Sequence, residues 1–110
     1  MNRYSGVIND NVLTTTILDD RAASELAEIF SALSDPSRIR IIAALKSGEL
    51  NVGALAEIVG ISESAASHHL RSLRQLRIVR ARKDGRQVFY TLDDDHIADL
   101  FQRGLDHVNH

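Results

Sequence analysis

Residues 51–76 read NVGALAEIVGISESAASHHLRSLRQL, and the local signals in this segment determine the architecture. Asn51 suits the N-cap of a short helix from Val52 to Val59, and Gly60 suits its end because glycine tolerates a positive φ. Ser62 is a second N-cap candidate, for a helix that runs to about Leu76. Two short helices joined by so tight a turn predict a helix-turn-helix.

A β-hairpin is predicted directly after the second of these helices. Two β-prone runs, at residues 79–83 and 87–91, flank Asp84-Gly85-Arg86. An Asp-Gly pair between two such runs is a strong hairpin signal. A helix-turn-helix followed by a hairpin with a basic tip has the element order of a winged helix-turn-helix.

Further helices are predicted on both sides of this unit. Apolar residues at helical spacing indicate a first helix over residues 20–33. Ser34-Asp35-Pro36 ends it and begins a second helix that runs to Lys46, with proline at the first helical position. Asp93–Asp95 open a final helix that reaches about Val108. The expected fold class is mainly α with a small β-hairpin, a winged helix-turn-helix that is dimeric.

Composition limits the class of protein. The chain has 110 residues, of which 44% are hydrophobic, and this suffices for one domain with a modest core. We expect residues 17–110 to form a DNA-binding and dimerisation domain, and residues 1–16, which lack periodicity, a flexible arm. Cysteine is absent, so disulfides and thiolate metal sites are excluded. Neither a membrane-spanning run nor a signal peptide is visible, which favours a cytoplasmic protein without a membrane partner.

The charge is distributed unevenly along the chain. The formal net charge is −2, yet residues 62–92 hold seven Lys/Arg against two acids. A local basic patch attracts phosphates whatever the total charge, so this block favours nucleic acid as a partner. The alternative is a solvated charged face without a partner.

The candidate DNA-binding side chains lie in the second helix of the helix-turn-helix and in the hairpin. A recognition helix needs small polar or basic side chains near its N-terminus, where they reach base edges in the major groove. Basic residues of a wing contact the backbone and mainly position the protein. The alternative for the serines is that they only cap the helix or face solvent. The alternative for His68 and His69 is that one is an ordinary surface side chain and the other is half-buried. The candidates are Ser62, Ser64, Ser67, His68, Arg71, Arg82, Lys83 and Arg86.

The C-terminal segment carries four candidate metal ligands, Asp94, His96, His107 and His110. An oxygen and three imidazoles suit a borderline metal ion. Eleven helical positions place His96 and His107 on one face but about 16 Å apart, whereas zinc–nitrogen bonds are about 2 Å long. Two antiparallel copies would bring the two ends together. Capping by the acids and dipole effects on the last-turn histidines are the alternative, and spacing alone favours neither.

The sequence resembles the ArsR/SmtB family of bacterial metal-sensing repressors over roughly residues 20–110. The segments that carry the resemblance are Leu33-Ser34-Asp35-Pro36-Ser37-Arg38, Glu49-Leu50-Asn51-Val52-Gly53-Ala54-Leu55-Ala56, Ser64-Ala65-Ala66-Ser67-His68-His69-Leu70, and Asp84-Gly85-Arg86 with Tyr90. In one branch of the family, the C-terminal helices pair across the dimer and bind zinc or cobalt through the motif that matches Asp94, His96, His107 and His110. Many members also have cysteines in the third helix, where this chain has Asn51-Val52-Gly53, so only the C-terminal site is expected here.

The resemblance implies a repressor that binds a palindromic double-stranded operator as a metal-free homodimer and releases it when two Zn²⁺ (or Co²⁺) ions bind per dimer. The expected dimer interface joins the first and last helices through Leu26, Ile29, Phe30, Ile97, Leu100, Phe101 and Leu105. A winged-helix regulator that does not sense metal is the alternative. A zinc hydrolase is a distant third possibility, because four protein ligands leave no position for water. We therefore expect neither an enzyme nor a small organic substrate.

Overall fold

The structure is a computed structural model that describes residues 18–110. Within them lie five helices and three strands: α1 (Asp20–Ala32), α2 (Pro36–Leu45), β1 (Leu50–Asn51), α3 (Val52–Val59), α4 (Glu63–Gln75), β2 (Val79–Asp84), β3 (Gln87–Leu92) and α5 (Asp95–Val108). All five helices occur where the sequence predicts them, with ends that differ by one or two residues. The expected arm at residues 1–16 lies outside the described part of the chain.

Side-chain caps fix where the helices begin. The Asn51 side chain accepts a hydrogen bond from the Ala54 N–H at 2.8 Å, and Ser62 accepts one from the Ala65 N–H at 3.0 Å. Both caps satisfy N–H groups that the first helical turn leaves without a partner. Gly60 ends α3 with a φ of +81°, so the tight turn between α3 and α4 has the predicted glycine at its left-handed position.

The wing is part of a three-stranded antiparallel sheet with the order β1-β3-β2. Asp84 pairs with Gln87, so the hairpin loop consists of Gly85 and Arg86, and Gly85 supplies a φ of +61°. Strand β1, in which Leu50 pairs with Tyr90, is an addition to the predicted hairpin. Two residues are too few to show a strand periodicity, so the sequence carried no signal for β1.

The hydrophobic core lies between α2, α3, α4 and the base of the wing. Its fully buried side chains are Ile41, Ile42, Leu55, Leu70, Leu73, Ile78 and Val79. Because α4 buries Ala66, Leu70 and Leu73, its opposite face is turned to solvent. The core therefore fixes which side of the second helix of the helix-turn-helix is available to a partner.

Helices α1 and α5 cover this core only partly. Ala32 is the one buried residue of α1, and α5 has none. Between α1, α2 and α5 lies an apolar groove of about 480 Å³, lined by Phe30, Leu33, Ile39, Ile42, Ile97, Leu100, Phe101, Gly104, Leu105 and Val108. Among the described residues, no helix has both the length and the apolar character needed to cross a membrane.

Candidate nucleic-acid interface and metal ligands

Helix α4 places the predicted base-reading residues on its solvent face. Ser64 and His68 are exposed, and Ser67 is half-buried. Ser62 caps the helix and Arg71 is exposed one turn beyond Ser67. The N-terminal half of α4 thus carries small polar side chains followed by a cation, the arrangement that a recognition helix requires.

The three predicted wing cations have different surroundings. Lys83 and Arg86 are exposed at the tip of the hairpin, and neither belongs to an ion pair formed within residues 18–110. Arg82 instead forms a bidentate pair with Glu49, in which Nη2 lies 2.7 Å from Oε1 and Nε lies 3.0 Å from Oε2. The guanidinium also lies 5.1 Å from the centre of the Phe89 ring.

The Glu49–Arg82 pair couples the protonation of both groups. The hydrogen bond from Arg82 lowers the pKa of the Glu49 carboxyl, and the same bond raises the pKa of the guanidinium. Glu49 directly precedes β1, and Arg82 lies on β2. The pair therefore links the two edges of the sheet across the central strand β3. Sequence reasoning missed Glu49, because only the fold brings it next to a residue 33 positions away.

Asn51 connects the wing with the helix-turn-helix. Its Oδ1 caps α3, while its Nδ2 donates to Oε1 of Gln87 on β3 at 3.2 Å. The same side chain therefore caps the first helix of the motif and contacts the wing close to its tip. The tip end of the wing is thereby linked to α3, the helix that precedes α4 in the motif.

The metal-ligand candidates form two pairs at opposite ends of α5. Asp94 is the N-cap, and its Oδ1 accepts a hydrogen bond from the Ile97 N–H at 3.2 Å. Its Oδ2 lies 3.4 Å from Nδ1 of His96, whose side chain is 92% exposed. The bond from Ile97, followed by the contact with His96, lowers the pKa of the Asp94 carboxyl. His107 lies in the last turn, and His110 lies two residues beyond the end of the helix.

The chemistry of the two pairs fits a tetrahedral zinc ion, but one chain does not complete the site. Two ligands that are each about 2 Å from a tetrahedral ion lie about 3.3 Å apart, close to the separation between Asp94 and His96. Helix α5 is unbroken, so His96 and His107 are about 16 Å apart along its axis. Consistently, no group of three or more metal-ligating side chains comes together within residues 18–110.

The residues predicted for the dimer interface fall into two groups. Ile29, Ile97 and Phe101 pack against the chain's own core. The other four are exposed by 37% or more: Leu26, Phe30, Leu100 and Leu105. Val108, which is 79% exposed at the end of α5, also lines the groove and was not among the predicted residues.

The known proteins that this chain resembles are described as bacterial transcriptional regulators. The model of the family described as "Bacterial regulatory protein, arsR family" matches residues 35–81. A transcriptional repressor SmtB homolog from Synechocystis sp. is 49% identical over 86 residues, which are 78% of this chain and 65% of that protein. A cadmium resistance transcriptional regulatory protein CadC homolog from Staphylococcus aureus is 43% identical over 84 residues, which are 76% of this chain and 69% of the relative.

The solved structures agree with the fold described above. A homodimeric winged helix-turn-helix DNA-binding domain of a possible ArsR-family regulator from Mycobacterium bovis aligns with a TM-score of 0.76 and 28% identity. The alignment covers 86% of this chain and 90% of that chain. The exposed polar face of α4, the wing beside it and these relatives lead to one conclusion: the chain belongs to the arsR family of bacterial regulatory proteins, and it is a winged helix-turn-helix transcriptional regulator rather than an enzyme.

Proposed function

We propose that the protein is a homodimeric repressor that binds palindromic operator DNA when metal-free and releases it when zinc, or cobalt, binds at the dimer interface. The observation that carries this proposal is the pair of incomplete ligand sets at opposite ends of one unbroken helix, Asp94 with His96 and His107 with His110. As a DNA-binding regulator, the protein would act in the bacterial cytoplasm.

The apolar faces of α1 and α5 support a dimer. Next to the apolar groove, four large apolar side chains are exposed: Leu26, Phe30, Leu100 and Leu105. Contiguous apolar patches of this kind mark interaction surfaces. The Mycobacterium bovis domain is described as homodimeric. An antiparallel arrangement of two α5 helices would cover these side chains and bring the N-terminal end of one helix to the C-terminal end of the other.

Such a dimer would contain two symmetry-related sites, each made by Asp94 and His96 of one protomer with His107 and His110 of its partner. A bound ion would cross-link the two α5 helices through these side chains. Asp94 would keep its capping bond through Oδ1 and offer Oδ2, which faces His96. The name of the Staphylococcus aureus relative supports a metal response in general, although the absence of cysteine here favours a borderline ion over cadmium.

The allosteric effect must be a difference in affinity. Metal lowers operator affinity only if it favours a dimer geometry that separates or rotates the two α4 helices away from successive major grooves. Residues on α5 set that geometry, since α5 forms the interface and also packs on the core through Ile97 and Phe101. Typical coupling free energies correspond to a change in affinity of roughly 5–150-fold.

The test measures operator affinity of the purified protein with and without zinc and cobalt, using a duplex selected by the metal-free protein from random-sequence DNA. We expect metal to weaken binding at least about fivefold. The matched control is His107→Ala, which should bind the same duplex and lose the metal response. An unchanged affinity in saturating metal would overturn the proposal.

One observation favours a metal-independent regulator as the second candidate. Asp94 already caps α5 and His107 lies in its last turn, where the helix dipole favours a cation. If this is the whole role of the segment, zinc and cobalt will change neither operator affinity nor thermal stability. DNA binding itself would persist in that case, so the experiment separates the two candidates.

A further inference from the structure

A hydrogen bond between side chains of α2 and α4 holds the recognition helix. Arg38, in the first turn of α2, donates from Nε to Nδ1 of His69 at 3.0 Å. Both side chains are half-buried, and the two residues are 31 positions apart in the chain. In this arrangement Nδ1 of the ring is the acceptor and the guanidinium is the donor.

This bond differs from the other contacts of α4. Within residues 18–110, it is the one side-chain hydrogen bond that joins α4 to another helix. The buried apolar side chains Ala66, Leu70 and Leu73 hold the inner face of α4 against the core. A hydrogen bond requires a defined distance and angle, so this one adds a directional contact that limits small rotations of α4 about its own axis.

We propose that Arg38 is a positioning residue for operator reading, and that it acts through His69. His69 directly follows His68 and Ser67, whose side chains lie on or near the face that meets DNA. All three side chains belong to one helix, so any small rotation of α4 that the bond to His69 prevents would also redirect Ser67 and His68. The proposal rests on the proposed DNA binding but not on metal sensing.

A direct phosphate contact by Arg38 is the competing role, and the two roles differ in what they predict. A phosphate contact contributes equally to every sequence and to the salt dependence of binding. A positioning contact affects discrimination between the operator and random DNA, and it leaves the salt dependence unchanged. It also requires an acceptor at position 69, which a phosphate contact does not.

The experiment compares four variants on the selected duplex and on random-sequence DNA. Arg38→Met removes the donor, His69→Leu removes the acceptor, and His69→Asn places an oxygen where Nδ1 lies. We expect the first two, and their double variant, to weaken operator binding by about the same factor, about fivefold, because each loses the same bond. We expect His69→Asn to stay within about twofold of the original protein, since Asn and His have similar helix propensities.

A spectroscopic measurement keeps the proposal testable without DNA. The Arg38 Nε–H resonance should exchange slowly with water in the original protein and in His69→Asn, and rapidly in His69→Leu. The proposal is overturned if the resonance is unaffected by His69→Leu. It is also overturned if Arg38→Met weakens all sequences equally and lowers the salt slope, or if effects of the two single variants add in the double variant. Failure to select any duplex would contradict the proposed DNA binding and with it the positioning role of Arg38, even where the resonance still reports its bond to His69.

Discussion

Arg82 and Glu49 show how the surroundings of a single residue change its expected role. A cation in a wing suggests a phosphate contact, yet the guanidinium of Arg82 has two hydrogen bonds to Glu49 and a second carboxylate, that of Asp84, at 3.6 Å. Isolated surface ion pairs contribute little to stability, but a bidentate pair that also lies against an aromatic ring has a defined geometry. We infer that Arg82 mainly links β2 to the residue before β1, across the intervening strand β3.

Replacing Glu49 with Gln should lower stability by a small, pH-dependent amount. The pKa of Glu49 is lowered from 4.5 in the folded protein, so the pair stabilises above that value and its contribution disappears as the pH falls through the folded pKa. Urea unfolding of Glu49→Gln should therefore show a constant deficit from pH 7 to about 5 that vanishes in stronger acid, with a Tm only a few degrees lower at pH 7. Glu57→Gln on α3 is the matched control. A deficit that grows in acid would contradict the assignment.

The wing cations should differ in their contribution to salt dependence. Arg86→Ala should reduce the slope of log affinity against log salt by about 1, because its charge is available to phosphate. Arg82→Ala should change this slope less, since Glu49 and Asp84 already compensate the charge. Fluorescence titrations of operator DNA over a series of salt concentrations measure both slopes. Equal slopes for the two variants would show that Arg82 leaves Glu49 to contact DNA.

At the scale of elements, one substitution separates the capping role of Asp94 in α5 from its proposed role as a metal ligand. Asn caps helices about as well as Asp but does not supply a carboxylate ligand. Asp94→Asn should keep the Tm of the metal-free protein nearly unchanged, and Asp94→Ala should lower it by a few degrees. Both should weaken cobalt binding, measured by absorption, at least about tenfold. Full cobalt affinity in Asp94→Asn would mean that Asp94 is only a cap.

The sequence predicted those elements whose signals are local. Caps such as Asn51 and Ser62, the left-handed Gly60 and the hairpin turn at Gly85 act within a few residues, so they were readable in the chain. The two-residue strand β1 was not, because it exists only through pairing with β3, nearly 40 positions away. The Glu49–Arg82 pair and the Arg38–His69 bond were missed for the same reason. Which apolar residues of α1 and α5 face inward also depended on packing that no local pattern specifies.

For the whole molecule, one chain alone neither buries the apolar face of α5 nor completes the proposed metal sites. None of its residues is buried, and its ligand pairs lie at opposite ends. The proposed symmetric dimer would meet both requirements, because two antiparallel α5 helices would bury each other's exposed leucines and join the candidate ligands into two equivalent sets. In that dimer, subunit association and metal binding would depend on the same surface, and metal could then change the relative orientation of the two α4 helices.

In the proposed dimer each metal site takes ligands from both protomers, and mixed dimers of two variants test this arrangement. His96→Ala and His107→Ala should each abolish tight cobalt binding, because every homodimer then lacks a ligand in both sites. In a heterodimer both lesions fall in one site, and the other is built from undamaged ends. Random mixing should therefore restore about a quarter of the original number of sites, seen as a tetrahedral cobalt spectrum without a sulfur charge-transfer band. If heterodimers form, as mass spectrometry can verify, and no tight binding returns, then the ligands do not cross the interface.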